Sequence, residues 1–284
     1  MKLLTFEEDG NRKLGLRLDD EVVDLSAADS ALPDNMLELI AAGPDALARV
    51  KVVGEGSHPR LAVGDLKLCP PIARPGKVIC IGLNYADHAA ETNHDIPAEP
   101  VVFGKFASAI TGPFDPVEAP PTSNELDYEA ELVAIIGKGG KHIPESDALD
   151  HVFGYSVGND ISARDYQVGK PAGQWLLGKT FDTFAPYGPH IVTADEVADP
   201  HNLGIRCILN GQTVQDSSTS QFIFDLPRLI AYTSHVFTLE PGDILWTGTP
   251  PGVGMGRKPP LWLKPGDTVV VEVDGVGRIE NRIV

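Results

Sequence analysis

Three cysteines in 284 residues, at Cys69, Cys80 and Cys207, are too few and too scattered for a disulfide framework. Each sits among apolar neighbours, as in Val78-Ile79-Cys80-Ile81, and reads as a small buried hydrophobe. Basic residues are also scarce. Against 40 Asp and Glu stand only 23 Lys and Arg, a net charge of −17. Sequence-independent nucleic-acid binding needs a basic stripe to displace counterions, so no nucleic-acid partner is expected. Docking on anionic lipid is disfavoured on the same ground, and no apolar run approaches the length of a membrane span. Nor is there an internal repeat or a low-complexity tract. The start, Met1-Lys2-Leu3-Leu4, runs into Glu7, Glu8 and Asp9, which argues against a secretory or transit leader and makes a cytoplasmic protein the expectation. What remains is ordinary: 42% apolar and 22% charged residues, a globular composition. A chain of this length buries roughly three-quarters of its unfolded surface and needs no structural staple.

Residues 1–70 read as a small α+β unit. Lys2 to Phe6, Leu14 to Leu18 and Val22 to Leu25 have the pattern of short strands, and Asn35 to Ala42 and Pro44 to Val50 that of helices parted by Gly43. Pro70-Pro71 and Arg74-Pro75-Gly76 mark a boundary, and residues 71–284 read as the catalytic domain. Its strand runs are Val78 to Ile81, Leu132 to Ile136, Phe153 to Val157, Ile205 to Leu209, Ile244 to Thr247 and Thr268 to Val273. Asn210-Gly211 and Asp274-Gly275 are tight-hairpin signals, because such turns need positive φ at their centre. Helices are few: Glu145 to His151, Ser162 to Gln167, and Asp225 to Phe237 with Asp225 as a cap. The fold class is mostly β, of the α+β kind.

Acids inside apolar strands carry the strongest chemical signal. In Leu126-Asp127-Tyr128-Glu129-Ala130-Glu131-Leu132-Val133, Glu129 and Glu131 are two apart and share a face if extended. Buried side by side they would repel and lose hydration, and a divalent cation compensates both costs. On a solvated face the same pair would be harmless. Asp160 ends the apolar run Phe153 to Val157 and Gly158-Asn159, and reads either as a third ligand or as the cap of a following helix. Three hard oxygen donors, without Cys or a His pair, select Mg²⁺, Mn²⁺ or Ca²⁺ over zinc.

Other constellations are weaker singly. His88 and Glu91 are three apart, a spacing that suits a carboxylate-oriented general base or a casual surface pair. The polar segment Thr92 to Pro100 that follows could cover a site. Thr247-Gly248-Thr249-Pro250 follows a strand and reads as an anion pocket or an ordinary turn. Lys105 and Lys179 are lone cations in apolar surroundings, suited to pairing an acid or polarising a substrate oxygen.

Together these motifs resemble the fumarylacetoacetate hydrolase family. The matching pieces are Gly82-Leu83-Asn84-Tyr85 with His88 and Glu91, Glu129-x-Glu131, Gly158-Asn159-Asp160 with Arg164-Asp165 and Gln167, Lys179-Thr180-Phe181-Asp182, Asn210-Gly211, and Thr247-Gly248-Thr249-Pro250. Their order holds from about Lys77 to Val284. Phe103-x-Lys105-Phe106-Ala107-Ser108 and Gln174-Trp175-Leu176-Leu177-Gly178-Lys179 point to the domain-containing protein 2 branch. The resemblance implies a mixed β-sandwich roll, usually homodimeric, around Mg²⁺ or Mn²⁺, with Ca²⁺ able to stand in within crystals. It implies Glu129, Glu131 and Asp160 as metal ligands. His88, Glu91 and Lys179 would be catalytic, and Lys105, Arg164, Gln167, Gly248 and Thr249 would contact a small 2-oxo acid. The leading expectation is hydrolysis of a C–C bond in a 2,4-diketo acid through an enolate stabilised by the cation, with water activated by His88 and Glu91. The alternative is keto–enol tautomerisation or decarboxylation of oxaloacetate at the same site. A non-catalytic metal-dependent binding module is the rival from another class. An Fe(II) oxygenase using His88 and His94 fits poorly, since that class wants two histidines and one acid.

Overall fold

Continuous apolar runs and hairpin turns account for the central strands of the computed structural model, which describes residues 1–87 and 96–284. β1 (Lys2–Glu8), β2 (Asn11–Leu18) and β3 (Glu21–Asp24) form a meander whose first turn, Asp9-Gly10, has φ of 51° and 77°. Helices Met36–Ala42 and Pro44–Glu55 follow. Asn35 caps the first by accepting from Glu38 N–H, and Gly43 at φ 73° separates the two. The remaining strands are β4 (Leu61–Ala62), β5 (Lys67–Cys69), β6 (Val78–Gly82), β7 (Val101–Lys105), β8 (Ile110–Thr111), β9 (Leu126–Asp127), β10 (Ala130–Ile136), β11 (Val152–Asn159), β12 (Ser162–Ala163), β13 (Ala185–Thr193), β14 (Gly204–Leu209), β15 (Gln212–Ser218), β16 (Ile244–Trp246), β17 (Thr268–Val273) and β18 (Gly277–Arg282).

Twelve strands join in one sheet, ordered β4-β3-β2-β1-β13-β11-β10-β16-β6-β7, with β5 on β1 and β8 on β13. β1 pairs with β13, Leu3 opposite Ile191, so residues 1–70 share this sheet with residues 71–284. One core runs through both, from Leu3 and Leu39 to Leu132 and Trp246. A second sheet, β15-β14-β17-β18, packs across β10, β11 and β13. The result is a mostly-β α+β fold. No helix among the described residues is long and apolar enough to cross a membrane.

Local chemistry fixes most of these elements. Asn210 (φ 50°) and Gly211 (φ 80°) turn β14 into β15, and Gly275 (φ 74°) serves the turn from β17 to β18. Asp225 caps helix Leu226–Val236 by accepting from Arg228 N–H. Two stretches differ from the sequence reading. Glu145–His151 is a 3₁₀ helix. Ser162–Ala163 pairs with β9, so only Arg164–Gln167 is helical there. Pairing across to Asp127 overrides the local helical pattern, and it starts the helix where Arg164 meets the acids.

Strand register positions the site. β10 and β11 run antiparallel with Glu131 opposite Gly158 and Ala130 opposite Asn159. Asp160 N–H then donates to Glu129 C=O at 2.9 Å, extending the ladder so that Glu129 faces Asp160. Gly158 is required by its neighbour: a Cβ there would lie 2.5 Å from the Trp246 ring and 2.8 Å from Val133. Gly158→Ala should therefore destabilise the protein by about 1–3 kcal/mol through overpacking. Calorimetry checks this, with about 2–4 °C expected per kcal/mol for a large domain. A melt within 1 °C of wild type would show that the indole yields freely.

Candidate active site

Glu129, Glu131 and Asp160 converge. Each offers a carboxylate oxygen, and the three atoms lie within 4.8 Å of one another. All three side chains are buried. Glu131 leaves β10 towards the loop after β16, where its Oε2 accepts from Gly248 N–H at 2.9 Å. Gly248 (φ 95°) lies so close to Asn84 and the Ile81 carbonyl that a side chain would clash. Glu129 lies just before β10 rather than within it. Asp160 caps no helix; it faces two lysines.

Those lysines, with Arg164, form a buried ionic network. Lys179 Nζ donates to Glu129 Oε2 at 2.6 Å and to Asp160 Oδ2 at 3.1 Å. Lys105 Nζ lies 2.5 Å from Asp160 Oδ1 and donates to the Ile161 and Phe184 carbonyls. Arg164 donates from Nε to Asp127 Oδ2 at 2.8 Å, from Nη2 to Glu129 Oε1 at 2.7 Å, and from Nη1 to Gln167 Oε1 at 2.7 Å. Asp127 went unnoticed in the sequence reading. Its fully buried carboxylate also accepts from the N–H groups of Tyr128, Gly254 and Met255, tying the 252–256 loop to Arg164. Its one signal was a third acid, two residues before Glu129 in the same run.

The charges around this centre do not cancel. Among the described residues, Asp127, Glu129, Glu131 and Asp160 face Arg164, Lys179 and Lys105. Burial raises Glu129, but Lys179 and Arg164 outweigh it and hold its carboxyl down at about 2. No cation among the described residues pairs with Glu131. Burial, then the charges of Asp160 and Glu129, raise it well above the ordinary carboxylate range. Burial lowers Lys179, yet Asp160 and Glu129 raise it further, so it stays charged. One carboxylate of the triad is thus left without a counter-charge among the described residues, and three converging hard oxygens fit a divalent cation.

The other sequence-derived candidates divide. Gln167, Lys179 and Thr249 line a cavity of about 140 Å³ together with Glu129 and Arg164, while Glu131 and Asp160 do not reach its wall. Thr249 Oγ1 accepts from Gln215 Nε2 at 2.8 Å, a buried partner that nothing in the sequence marked. Gly248 contributes its N–H to Glu131 and Thr247 its hydroxyl to the Leu132 carbonyl, so both are engaged within the protein. Lys105 lies behind Asp160 and does not line the cavity. His88, Glu91 and His94 lie outside the described residues.

Comparison with known proteins agrees with this geometry. Residues 77–284 match the family described as fumarylacetoacetate (FAA) hydrolase C-terminal. "Oxaloacetate tautomerase fahd2, mitochondrial" of Xenopus laevis is 50% identical over 288 aligned positions, which cover all of this chain and 90% of the relative. "Oxaloacetate tautomerase FAHD2A, mitochondrial" of Homo sapiens is 48% identical over 263 positions, 93% of this chain and 84% of the relative. The crystal structure of maleylpyruvate hydrolase from Sphingobium sp. SYK-6, in complex with manganese(II) and pyruvate, superposes with a TM-score of 0.83 at 34% identity, covering 100% of this chain and 99% of that one. The names of the two relatives correct the expectation of a cytoplasmic location, since both are called mitochondrial. The acidic residues that suggested it belong to β1 and the turn after it, so their charge reflects that strand and not a location. With the triad, the order of its motifs and these matches in agreement, the chain belongs to the fumarylacetoacetate hydrolase family, in its domain-containing protein 2 branch.

Proposed function

We propose that the protein is a divalent-cation-dependent tautomerase of small 2-oxo acids, with oxaloacetate as substrate. The observation that carries this is the convergence of Glu129, Glu131 and Asp160 beside Lys179, with Glu129 and Lys179 lining a cavity of about 140 Å³. The naming of two close relatives for oxaloacetate tautomerisation supports the substrate. Mg²⁺ or Mn²⁺ held by the three carboxylates would polarise the C2 carbonyl and lower the cost of losing a proton from C3.

The chain's own groups do the rest. The Lys179 ammonium donates to the oxygen on C2 as negative charge builds there. Gln167, whose amide oxygen is held by Arg164, has its NH₂ available for a substrate carboxylate. Thr249, fixed by Gln215, donates to the same carboxylate. To His88 and Glu91, three apart in the sequence, we assign the transfer of the proton between C3 and the C2 oxygen. That exchange breaks one C–H and forms one O–H bond, with no change in oxidation state.

Cleavage of a 2,4-diketo acid is the second reading, favoured by the likeness to a maleylpyruvate hydrolase. The two separate in one assay. With Mg²⁺ or Mn²⁺, the protein should accelerate loss of the ultraviolet absorbance of enol-oxaloacetate and leave acetylpyruvate intact. Release of pyruvate from acetylpyruvate, with the enol untouched, would replace tautomerisation by hydrolysis. Neither activity, with metal-dependent ligand binding retained, would point to a binding module.

A further inference from the structure

The cavity beside Glu129 and Lys179 has two unlike halves. Its floor is polar, but its walls include Leu83, Phe103, Val168, Trp175 and Met255. Phe103 and Trp175 meet edge to face with centroids 5.4 Å apart. Trp175 is seated against β6 at Gly82, where a Cβ would lie 2.5 Å from the indole ring. Val168 and Met255, at the mouth, are 56% and 38% exposed. Apolar side chains left wet beside a reaction centre favour a ligand group that covers them.

Among the described residues, cations free to meet a second carboxylate are lacking. Only Arg164 and Lys179 among the lining residues are basic. Arg164 commits Nε, Nη1 and Nη2 to Asp127, Gln167 and Glu129, and Lys179 is held between Glu129 and Asp160. Residues 88–95, His-Ala-Ala-Glu-Thr-Asn-His-Asp, contain no Lys or Arg. A net charge of −17 further disfavours a dianion over a monoanion.

From this we infer a further activity: the site enolises 2-oxo acids that carry an apolar or aromatic group on C3, and it does so at least as efficiently as it handles oxaloacetate. The inference rests on the enolising site proposed above. The C3–H bond breaks, the proton returns to the C2 oxygen, and the C2–C3 double bond forms, so the substituent needs only to be accommodated. It would lie against Phe103 and Trp175 and cover Val168 and Met255.

Exchange of C3 hydrogens for deuterium in D₂O, followed by NMR with Mg²⁺, treats all substrates alike. Phenylpyruvate and 4-methyl-2-oxopentanoate should exchange with kcat/KM equal to or above that of oxaloacetate. Trp175→Arg should lower the phenylpyruvate value about 10-fold, the scale of lost apolar contact in a pocket, and raise that for oxaloacetate. Met255→Lys, at a position 38% exposed, should move the ratio the same way. Saturable quenching of tryptophan fluorescence by phenylpyruvate, lost in Trp175→Arg, reads binding apart from turnover. Exchange of oxaloacetate alone would overturn the inference and leave the enolising site standing. Exchange of none of the three would sink the enolising site itself, and the inference with it.

Discussion

Glu131→Gln is expected to remove the response of the melting temperature to Mg²⁺ while leaving the metal-free protein as stable as wild type, or more so. Burial and the charges of Asp160 and Glu129 raise the Glu131 carboxyl far above its ordinary value. A neutral amide of the same shape therefore costs little when no cation is present. The same shift gives a sign for pH. A carboxyl raised in the folded state contributes stability below its unfolded value, and that stability is lost as pH rises through the folded value. Metal-free wild type should accordingly weaken as pH climbs above the ordinary carboxylate range, and Glu131→Gln should flatten that decline. With Mg²⁺ at about 100 times Kd, wild type gains about 2.7 kcal/mol by mass action. That corresponds to about 5–10 °C in a large domain, and the variant should show almost none of it. Losing several kcal/mol of charge stabilisation, taken as about 4, lowers kcat/KM about 1,000-fold. Calorimetry with EDTA and with Mg²⁺ makes the comparison. An undiminished Mg²⁺ shift in the variant would place the cation elsewhere.

What could be read in the sequence follows from how local each cause is. Hairpins at Asn210-Gly211 and Asp274-Gly275, the Asp225 cap and the apolar runs of β6, β10 and β11 depend on neighbours in the chain, and all appear. The acidic triad was legible because unpaired acids in apolar runs demand an explanation wherever they fold. Asp127 was not. Its partners, Arg164, Gly254 and Met255, come from 37, 127 and 128 residues away, and no spacing rule reaches them. Gln215, which holds Thr249 from a strand of the second sheet, was hidden for the same reason. The pairing of β1 with β13 is equally non-local, joining Leu3 to Ile191. Lys105 illustrates the converse. Its isolation in an apolar run was visible, but only the packing reveals that Asp160 and two carbonyls take up its ammonium.

Arg164→Met should be the most destabilising single change in the site. The guanidinium is 3% exposed and joins two buried carboxylates, Asp127 at 2.8 Å and Glu129 at 2.7 Å. Methionine fills much of the volume and supplies no charge. Glu129 would keep Lys179, but Asp127 would retain only backbone N–H donors in a site without water contact. Removing one partner of a buried ion pair typically costs about 3–5 kcal/mol, because the other charge stays behind. A fall in melting temperature of about 6–20 °C follows for a domain of this size. Arg164→Lys should recover little of it, since a single ammonium of shorter reach cannot replace a fork that meets two acids and Gln167 at once. Adding Asp127→Asn to Arg164→Met should restore part of the loss, and the double-mutant cycle then measures the coupling directly. A fall below about 1 kcal/mol in Arg164→Met would mean that backbone donors alone satisfy Asp127. Catalysis separates the roles further. Asp127 does not line the cavity beside Glu129 but holds the 252–256 loop, so Asp127→Asn should raise KM through misplaced Val253 and Met255. Arg164 orients Glu129 and Gln167, so its loss should lower kcat as well.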